Sequence, residues 1–284
     1  VELDNRINEA DIIITNKCEL NAITIAHAQK LKYICAAATG FNHINIEAAK
    51  VKGIIVSNVR NYATPSVVQH VYALILALST KLINYSSSVQ NGDWQRSENF
   101  CLLDYPIEEV SGKTLGIIGY GTLGQAVAKV APSLGLEVLI CQHLHGEPEQ
   151  GRIELDELLA RADIISIHLP LNKRTTNLLG KHELSLMKTG AFIINTSRGG
   201  IVDESALANA LRQGQIAGAG IDVLATEPPV EGNPLLTNDL PNLIITPHIA
   251  WASRQSRQRL VDQIADNIRS YLAGEIANRV GQAL

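Results

Sequence analysis

A short apolar run, a glycine turn and a helix follow one another over residues 113–134, and no other stretch narrows the fold as much. Lys113-Thr114-Leu115-Gly116-Ile117-Ile118 reads as a buried strand. Gly119-Tyr120-Gly121-Thr122-Leu123-Gly124 comes next, and Gln125 to Leu134 reads as a helix that Pro132 ends or kinks. Strand, glycine turn and helix in this order are the context of a dinucleotide fingerprint. Gly119 allows a tight turn, Gly121 lets backbone approach a pyrophosphate, and Gly124 lets helix pack close on strand. Thr122 and Leu123 begin the helix, whose unpaired N–H groups and partial positive charge suit phosphates. The expected ligand is NAD or NADP.

Similar apolar runs recur along the chain between helical stretches. Strands are predicted at residues 11–15, 31–36, 54–57, 114–118, 138–141, 164–168, 192–195, 218–222 and 243–246. Helices are predicted at 20–29, 65–82, 123–134, 156–161, 204–212 and 257–272. This alternation calls for an α/β fold with parallel sheets and right-handed crossovers. The last six strands suffice for a dinucleotide-binding sheet. Three strands precede the fingerprint and a long helix follows the final strand. Residues 1–61 and 251–284 are therefore expected to form a second, substrate-binding domain, into which a cofactor domain of residues 62–250 is inserted. The helix opening at Pro65-Ser66 has broad apolar faces, which fit either a core position or a subunit interface.

Composition closes off other classes. A net charge of −4 provides no basic field, so nucleic acid is not an expected partner. The longest apolar segment, Val71 to Leu78, is too short to cross a bilayer, and no membrane partner is expected. Cys18, Cys35, Cys101 and Cys141 have neither disulfide-framework nor zinc spacing; no metal site and a cytoplasmic location are expected. Cys35 and Cys141 read as small buried hydrophobes. The chain lacks an initiator Met and opens just before a strand, so an N-terminal piece is expected to be missing from it.

Ligands on open α/β sheets gather at the carboxyl ends of strands. Three polar residues stand at such points. Arg198, in Asn195-Thr196-Ser197-Arg198-Gly199-Gly200, has the forked guanidinium that grips a carboxylate. His248, in Thr246-Pro247-His248-Ile249-Ala250-Trp251, is the best candidate for moving a proton near neutral pH. Glu227 lies one strand earlier, and a carboxylate beside an imidazole fixes its orientation and favours its charged form. Their contact is an expectation. His168 ends a strand before Pro170 and reads as structural, and Gln69-His70 on the long helix reads as packing.

The glycine motif, the Asn195–Glu204 segment, Asp222–Pro228 and Thr246–Ser253 together resemble the D-isomer-specific 2-hydroxyacid dehydrogenases, in that family's order and over nearly the whole chain. Asn58–His70, Asn99–Pro106 and Trp251 resemble its glycerate dehydrogenase (hydroxypyruvate reductase) branch. The resemblance implies a NAD(P)-dependent enzyme of two Rossmann-like domains, a homodimer with its active site in a cleft. It places the family's catalytic arginine, glutamate and histidine on Arg198, Glu227 and His248. The carboxylate-binding backbone loop falls on Ala38, Thr39 and Gly40, and further cofactor contacts fall on Pro170, Thr196 and Asp222. Asn99, Phe100 and Trp251 would shape specificity. The reaction implied is reduction of hydroxypyruvate or glyoxylate to D-glycerate or glycolate. Arg198 would bind and polarise the substrate, His248 protonate it, and Glu227 hold the imidazole charged and aimed. A nucleotide-sensing corepressor-like protein is the alternative that this superfamily leaves open.

One position departs from the family's NAD-using pattern. That pattern sets Asp or Glu at the end of the second cofactor-domain strand, on the ribose 2′-hydroxyl. Here Cys141 is followed by Gln142, His143, Leu144 and His145. Gln142 and His143 are the expected cofactor contacts. A neutral Gln142 does not repel a 2′-phosphate, and no arginine immediately follows to clamp one. Dual or relaxed use of NAD and NADP is expected.

Overall fold

Each strand pairs with parallel neighbours, as unalternating apolar runs require. The computed structural model describes residues 2–144, 147–240 and 242–281, so His145 lies outside the described residues. The chain divides into two units, Val1–Ala63 with Ala252–Leu284, and Thr64–Trp251.

The smaller unit begins with α1 (Glu2–Asn8), β1 (Ile12–Thr15), α2 (Ala22–His27), β2 (Tyr33–Ala36), α3 (Ile46–Val51) and β3 (Ile55–Ser57). Its sheet has the order β1-β2-β3. Asn21 and Asn45 cap α2 and α3, each accepting a backbone N–H at 2.9 Å. Ile34, Ala36 and Val56 meet Leu20, Ile25 and Ala49 in a closed apolar cluster. Beyond β2 the chain turns through Ala38-Thr39-Gly40. Asn58 Nδ2 donates to Thr39 O (2.7 Å) and Val59 N to Ala38 O (3.2 Å), which fixes this turn by its carbonyls.

The larger unit runs through α4 (Thr64–Thr80), α5 (Leu82–Gln90), α6 (Asp93–Arg96), β4 (Thr114–Ile118), α7 (Thr122–Val130), β5 (Glu137–Ile140), α8 (Leu155–Arg161) and β6 (Ile164–Ile167). It continues with α9 (Lys181–Leu186), β7 (Phe192–Asn195), α10 (Glu204–Arg212), β8 (Gly218–Ile221) and β9 (Leu243–Ile245). The strand order is β5-β4-β6-β7-β8-β9. Strand order reverses at β4, which opens a crevice at the carboxyl ends of β4 and β6. The segment after β5 adds a single parallel bridge, Ile153 to Cys141, where a further strand would extend the sheet. The long apolar helix is resolved as core: α4 buries Val71, Leu74, Ile75 and Leu78. β8 is Gly218-Ala219-Gly220-Ile221, and a Cβ on Gly220 would sit 3.0 Å from Leu74 Cβ. Small residues on the strand are what let α4 lie so close. Pro132 ends α7 at Val130 and starts a 3₁₀ turn over Ala131–Leu134.

The chain then returns to the smaller unit as α11 (Arg254–Leu272), capped by Ser253. Tyr271 stacks on Tyr33 with ring centroids 4.4 Å apart, and buried Asn267 donates to Asn58 O at 2.9 Å. Among the described residues no single helix is long and apolar enough to cross a membrane, and α4 with α5 reach that length only as a pair bent by 62°.

Candidate active site

The glycine turn has the geometry that a pyrophosphate needs. Gly119 has φ +97°, and a Cβ there would lie 2.7 Å from His168 O. A Cβ on Gly124 would lie 2.1 Å from Gly119 O, so helix and turn touch backbone to backbone. Gly121 has no heavy atom within 4 Å of where its Cβ would be. It begins α7 without a side-chain cap, leaving Thr122 and Leu123 at an open helix N-terminus. Thr196, just past β7, has a buried hydroxyl with no partner among the described residues. These features fit a nicotinamide dinucleotide. Pro170 is exposed just past β6, and its carbonyl is held by Thr175 Oγ1 at 2.7 Å. His168 bonds Ser166 Oγ at 2.9 Å, and burial pushes its pKa down to about 4. Cys141 is a buried thiol whose pKa burial pushes up to about 11.

Arg198, Glu227 and His248 leave the carboxyl ends of β7, β8 and β9, which are consecutive neighbours in the sheet. Buried Asn195 shapes the first loop: its Oδ1 accepts Ser197 N (3.0 Å) and Oγ (2.8 Å), and its Nδ2 donates to Arg198 O (2.9 Å). The exposed Arg198 guanidinium donates to Ser197 O at 2.7 Å. Gly199 follows because no other residue fits; a Cβ would fall 1.9 Å from the Leu224 carbonyl carbon. The Arg198 loop is thus pressed against the segment that leads to Glu227. Glu227 uses one oxygen to accept Leu224 N (2.9 Å) and the other to accept His248 Nδ1–H (2.6 Å). A carboxylate is acceptor-only, so the proton of this tautomer sits on Nδ1 when the ring is neutral. Nε2 then has no partner among the described residues.

His248 has φ +55°, a left-handed conformation that costs a non-glycine residue about 1 kcal/mol or more. Asp222 enforces it. Its buried carboxylate accepts Thr246 Oγ1–H (2.5 Å), Ile249 N (2.9 Å) and Ala250 N (2.9 Å), while Asp222 O accepts His248 N (2.8 Å). The Asp222 carboxylate, expected to contact the cofactor, also builds the histidine loop. Because Thr246 gives its one hydroxyl proton to Asp222, it must accept from His70 Nε2–H at 2.9 Å. His70 belongs to this network and is not mere helix packing. Trp251 Nε1 donates to His248 O at 3.0 Å.

Three supporting residues escaped the sequence reading. Glu204, on the first turn of α10, accepts Ala225 N (2.7 Å) and Asn233 Nδ2 (2.6 Å), bracing the Glu227 loop. Its only local signal was an acid next to the Asp203 cap. At β5, Gln142 Oε1 accepts Glu149 N (3.0 Å) and its Nε2 donates to Glu149 O (3.4 Å). Glu149 Oε2 then meets His143 Nε2 (3.0 Å) and Arg152 (2.7 Å). Arg152 is well separated from Gln142 in sequence, yet its guanidinium lies 5.6 Å over the ring of Tyr120, inside the glycine motif. Phe100 is 91% exposed.

The NAD-binding-domain description of the D-isomer-specific 2-hydroxyacid dehydrogenases matches residues 72–250. The chain is 46% identical to a glycerate dehydrogenase of Methylorubrum extorquens over 98% of its own length and 88% of that protein. It is 40% identical to a hydroxypyruvate reductase of Blautia hydrogenotrophica, over 99% of its own length and 88% of that protein. Among solved structures it superimposes on a D-lactate dehydrogenase from Aquifex aeolicus complexed with NAD and lactic acid. The TM-score is 0.83 and the identity 30%, over 99% of this chain and 90% of that one.

Proposed function

The chain belongs to the D-isomer-specific 2-hydroxyacid dehydrogenase family, and on that premise we propose that it reduces hydroxypyruvate and glyoxylate to D-glycerate and glycolate with NAD(P)H. The observation that carries this reading is the 2.6 Å contact between Glu227 and His248 at the ends of adjoining strands, with Arg198 on the next loop. Bound reduced nicotinamide supplies the hydride that C2 of a 2-oxo acid needs. The protein's own task is to bind, polarise and protonate. Arg198 grips the substrate carboxylate and polarises the C2 carbonyl. As the imidazolium, His248 gives its Nε2 proton to the emerging oxygen and is left as the neutral Nδ1–H tautomer, while Glu227 holds Nδ1–H and so aims the ring. Thr39 and Gly40, whose turn is fixed through its carbonyls, offer N–H groups to the carboxylate's other edge, beside Ala38. The dinucleotide is held by Gly119, Gly121, Thr122, Leu123 and Gly124, with Pro170 and Thr196 beside it and Gln142 and His143 at its adenosine end. In this reading residues 1–61 and 251–284 serve the substrate and residues 62–250 the cofactor.

NADH and NADPH oxidation, followed with hydroxypyruvate, glyoxylate and longer 2-oxo acids, tests the proposal. Rapid turnover of the two short acids is expected; turnover of none of them would refute it. The expectation of relaxed coenzyme use also stands: the two coenzymes should differ by less than about 2 kcal/mol, or roughly 30-fold, in kcat/KM. A thousandfold preference would overturn that part alone.

A homodimer is part of the same proposal. With most apolar residues of α4 buried in its own unit, α5, α6 and the segment after them carry one run of exposed apolar side chains close in sequence: Leu82, Ile83, Val89, Trp94, Phe100 and Leu103 are all at least half exposed or close to it. Light scattering should return twice the chain mass, and a monomer at micromolar concentration would contradict it. A cytoplasmic location fits four free thiols and is checked by cell fractionation.

A further inference from the structure

The end of β5 lacks the acid that would meet a ribose diol, but the fold supplies one from further along the chain. Both polar atoms of the Gln142 amide are engaged by the backbone of Glu149, which draws the loop back on itself. This brings the Glu149 carboxylate to the strand end, between His143 Nε2 (3.0 Å) and the Arg152 guanidinium (2.7 Å). The parallel bridge from Ile153 to Cys141 anchors Arg152 beside the same strand end. Its guanidinium is also the one that covers Tyr120 of the glycine turn. Exposure separates the members of this group. The Arg152 side chain is only 11% exposed, whereas Glu149 and His143 are 53% and 55% exposed. The cation is pinned, and the acid is free to move.

We propose that Arg152 is the anchor for a 2′-phosphate at the adenosine end of the dinucleotide site, and that Glu149 is its exchangeable counter-ion. A carboxylate and a phosphate compete for the same planar fork of N–H donors. With a 2′-phosphate present, Glu149 leaves Arg152 to it. With a bare 2′-hydroxyl, Glu149 stays and accepts from the ribose, doing from position 149 what the strand-end acid does in NAD-using relatives of the fold. Gln142 is a positioning residue here, setting the Glu149 backbone. The relative affinity for the two coenzymes is then set by a swap on one guanidinium. The proposal rests on the dinucleotide-binding reading above and not on the identity of the 2-oxo acid.

Equilibrium binding tests it without turnover. Four probes are titrated by fluorescence or calorimetry: NADH, NADPH, AMP and adenosine 2′,5′-bisphosphate. Arg152→Met should weaken NADPH and the bisphosphate by about 10- to 100-fold, the worth of a charge-assisted pair, and leave NADH and AMP within about threefold. Arg152→Lys, which keeps the charge and loses the fork, should fall between Met and wild type for the phosphorylated probes. Glu149→Gln should act in the opposite sense, tightening NADPH by about three- to tenfold and weakening NADH. Equal loss of all four probes in Arg152→Met, with Arg152→Lys restoring none selectively, would reduce Arg152 to a brace on Tyr120 and overturn the proposal. So would Glu149→Gln leaving the NADPH to NADH ratio unchanged. Failure of the wild-type chain to bind either coenzyme would sink the cofactor reading with it. Normal, selectively altered binding in a chain that reduces no 2-oxo acid would leave this inference standing and remove the functional one.

Discussion

The loops after β7, β8 and β9 and the loop after β5 both lie at carboxyl ends of the same sheet, yet they are held in opposite ways. Around Arg198, Glu227 and His248 the polar groups that fix the backbone are buried: Asn195 is 2% exposed and Asp222 1%. Asp222 alone ties Thr246, Ile249 and Ala250. The loop after β5 is tied by the Gln142 amide and by the Glu149 carboxylate, which is more than half exposed and shared between exposed His143 and the nearly buried Arg152. A buried carboxylate with all its bonds made admits one geometry, because any other leaves a desolvated group unpaired. A half-exposed carboxylate gives up a partner at less cost, because water takes that partner's place. The difference matches the tasks proposed for the two ends. Proton transfer tolerates little misplacement, whereas a coenzyme end that accepts either a hydroxyl or a phosphate has to give.

His248→Gln should lower kcat by about 10²–10⁴-fold with the fold intact; steady-state rates near wild type would remove His248 from the mechanism. Gly199→Ala places a Cβ on the Leu224 carbonyl. It should cost about 3 kcal/mol of stability and, by parting the Arg198 and Glu227 loops, about 10²-fold in kcat/KM. Urea titration and kinetics on one preparation read both effects. Asp222→Asn exchanges an acceptor-only group for one that must turn an NH₂ toward a backbone N–H or a hydroxyl. A loss of about 2–3 kcal/mol is expected, seen in the thermal midpoint.

His168, at the end of β6, lies between the two regions. Its pKa is near 6.5 unfolded and about 4 folded, because burial disfavours the imidazolium. Between those values the unfolded chain binds more protons, so stability held above pH 6.5 is lost as pH falls toward 4. Between pH 7 and pH 5, His168→Gln should lose about 2 kcal/mol less than wild type, read from urea midpoints at both pH values. The smallest effect sharpens the contrast. Glu149→Ala should shift stability by less than about 0.5 kcal/mol. A melting curve lowered as far as that of Asp222→Asn would mean the β5 loop is as rigid as the loops after β7, β8 and β9.

Strands such as Phe192–Asn195 were legible in the sequence because a strand buried on both faces is an uninterrupted apolar run with turn residues at its ends. The overlooked helices are short or polar. Lys181–Leu186 has six residues and starts at Gly180, capped by Glu183 from within; Leu82–Gln90 carries three serines in succession. Neither has enough apolar repeat to stand out. The glycine motif, Arg198, Glu227 and His248 were legible because residue type and strand-end position coincide. Asn195 and Glu204 stood in plain view within one motif, but the roles of their side chains depend on where the backbone of residues 197, 198 and 225 lies.

Features that depend on chain neighbours could be read from the residues alone: apolar periodicity, the glycine turn, the proline that ends α7, and the kinds of group at each strand end. Which distant groups meet emerged only once the chain was folded. Thr246 bonds His70 across 176 residues, Asp222 shapes the loop that holds His248 in a left-handed turn, and Arg152 folds back over Tyr120. Backbone preference acts over a few residues and leaves its mark locally. A hydrogen bond or ion pair needs two groups within about 3 Å, and for residues far apart in sequence only the packed sheet brings them that close.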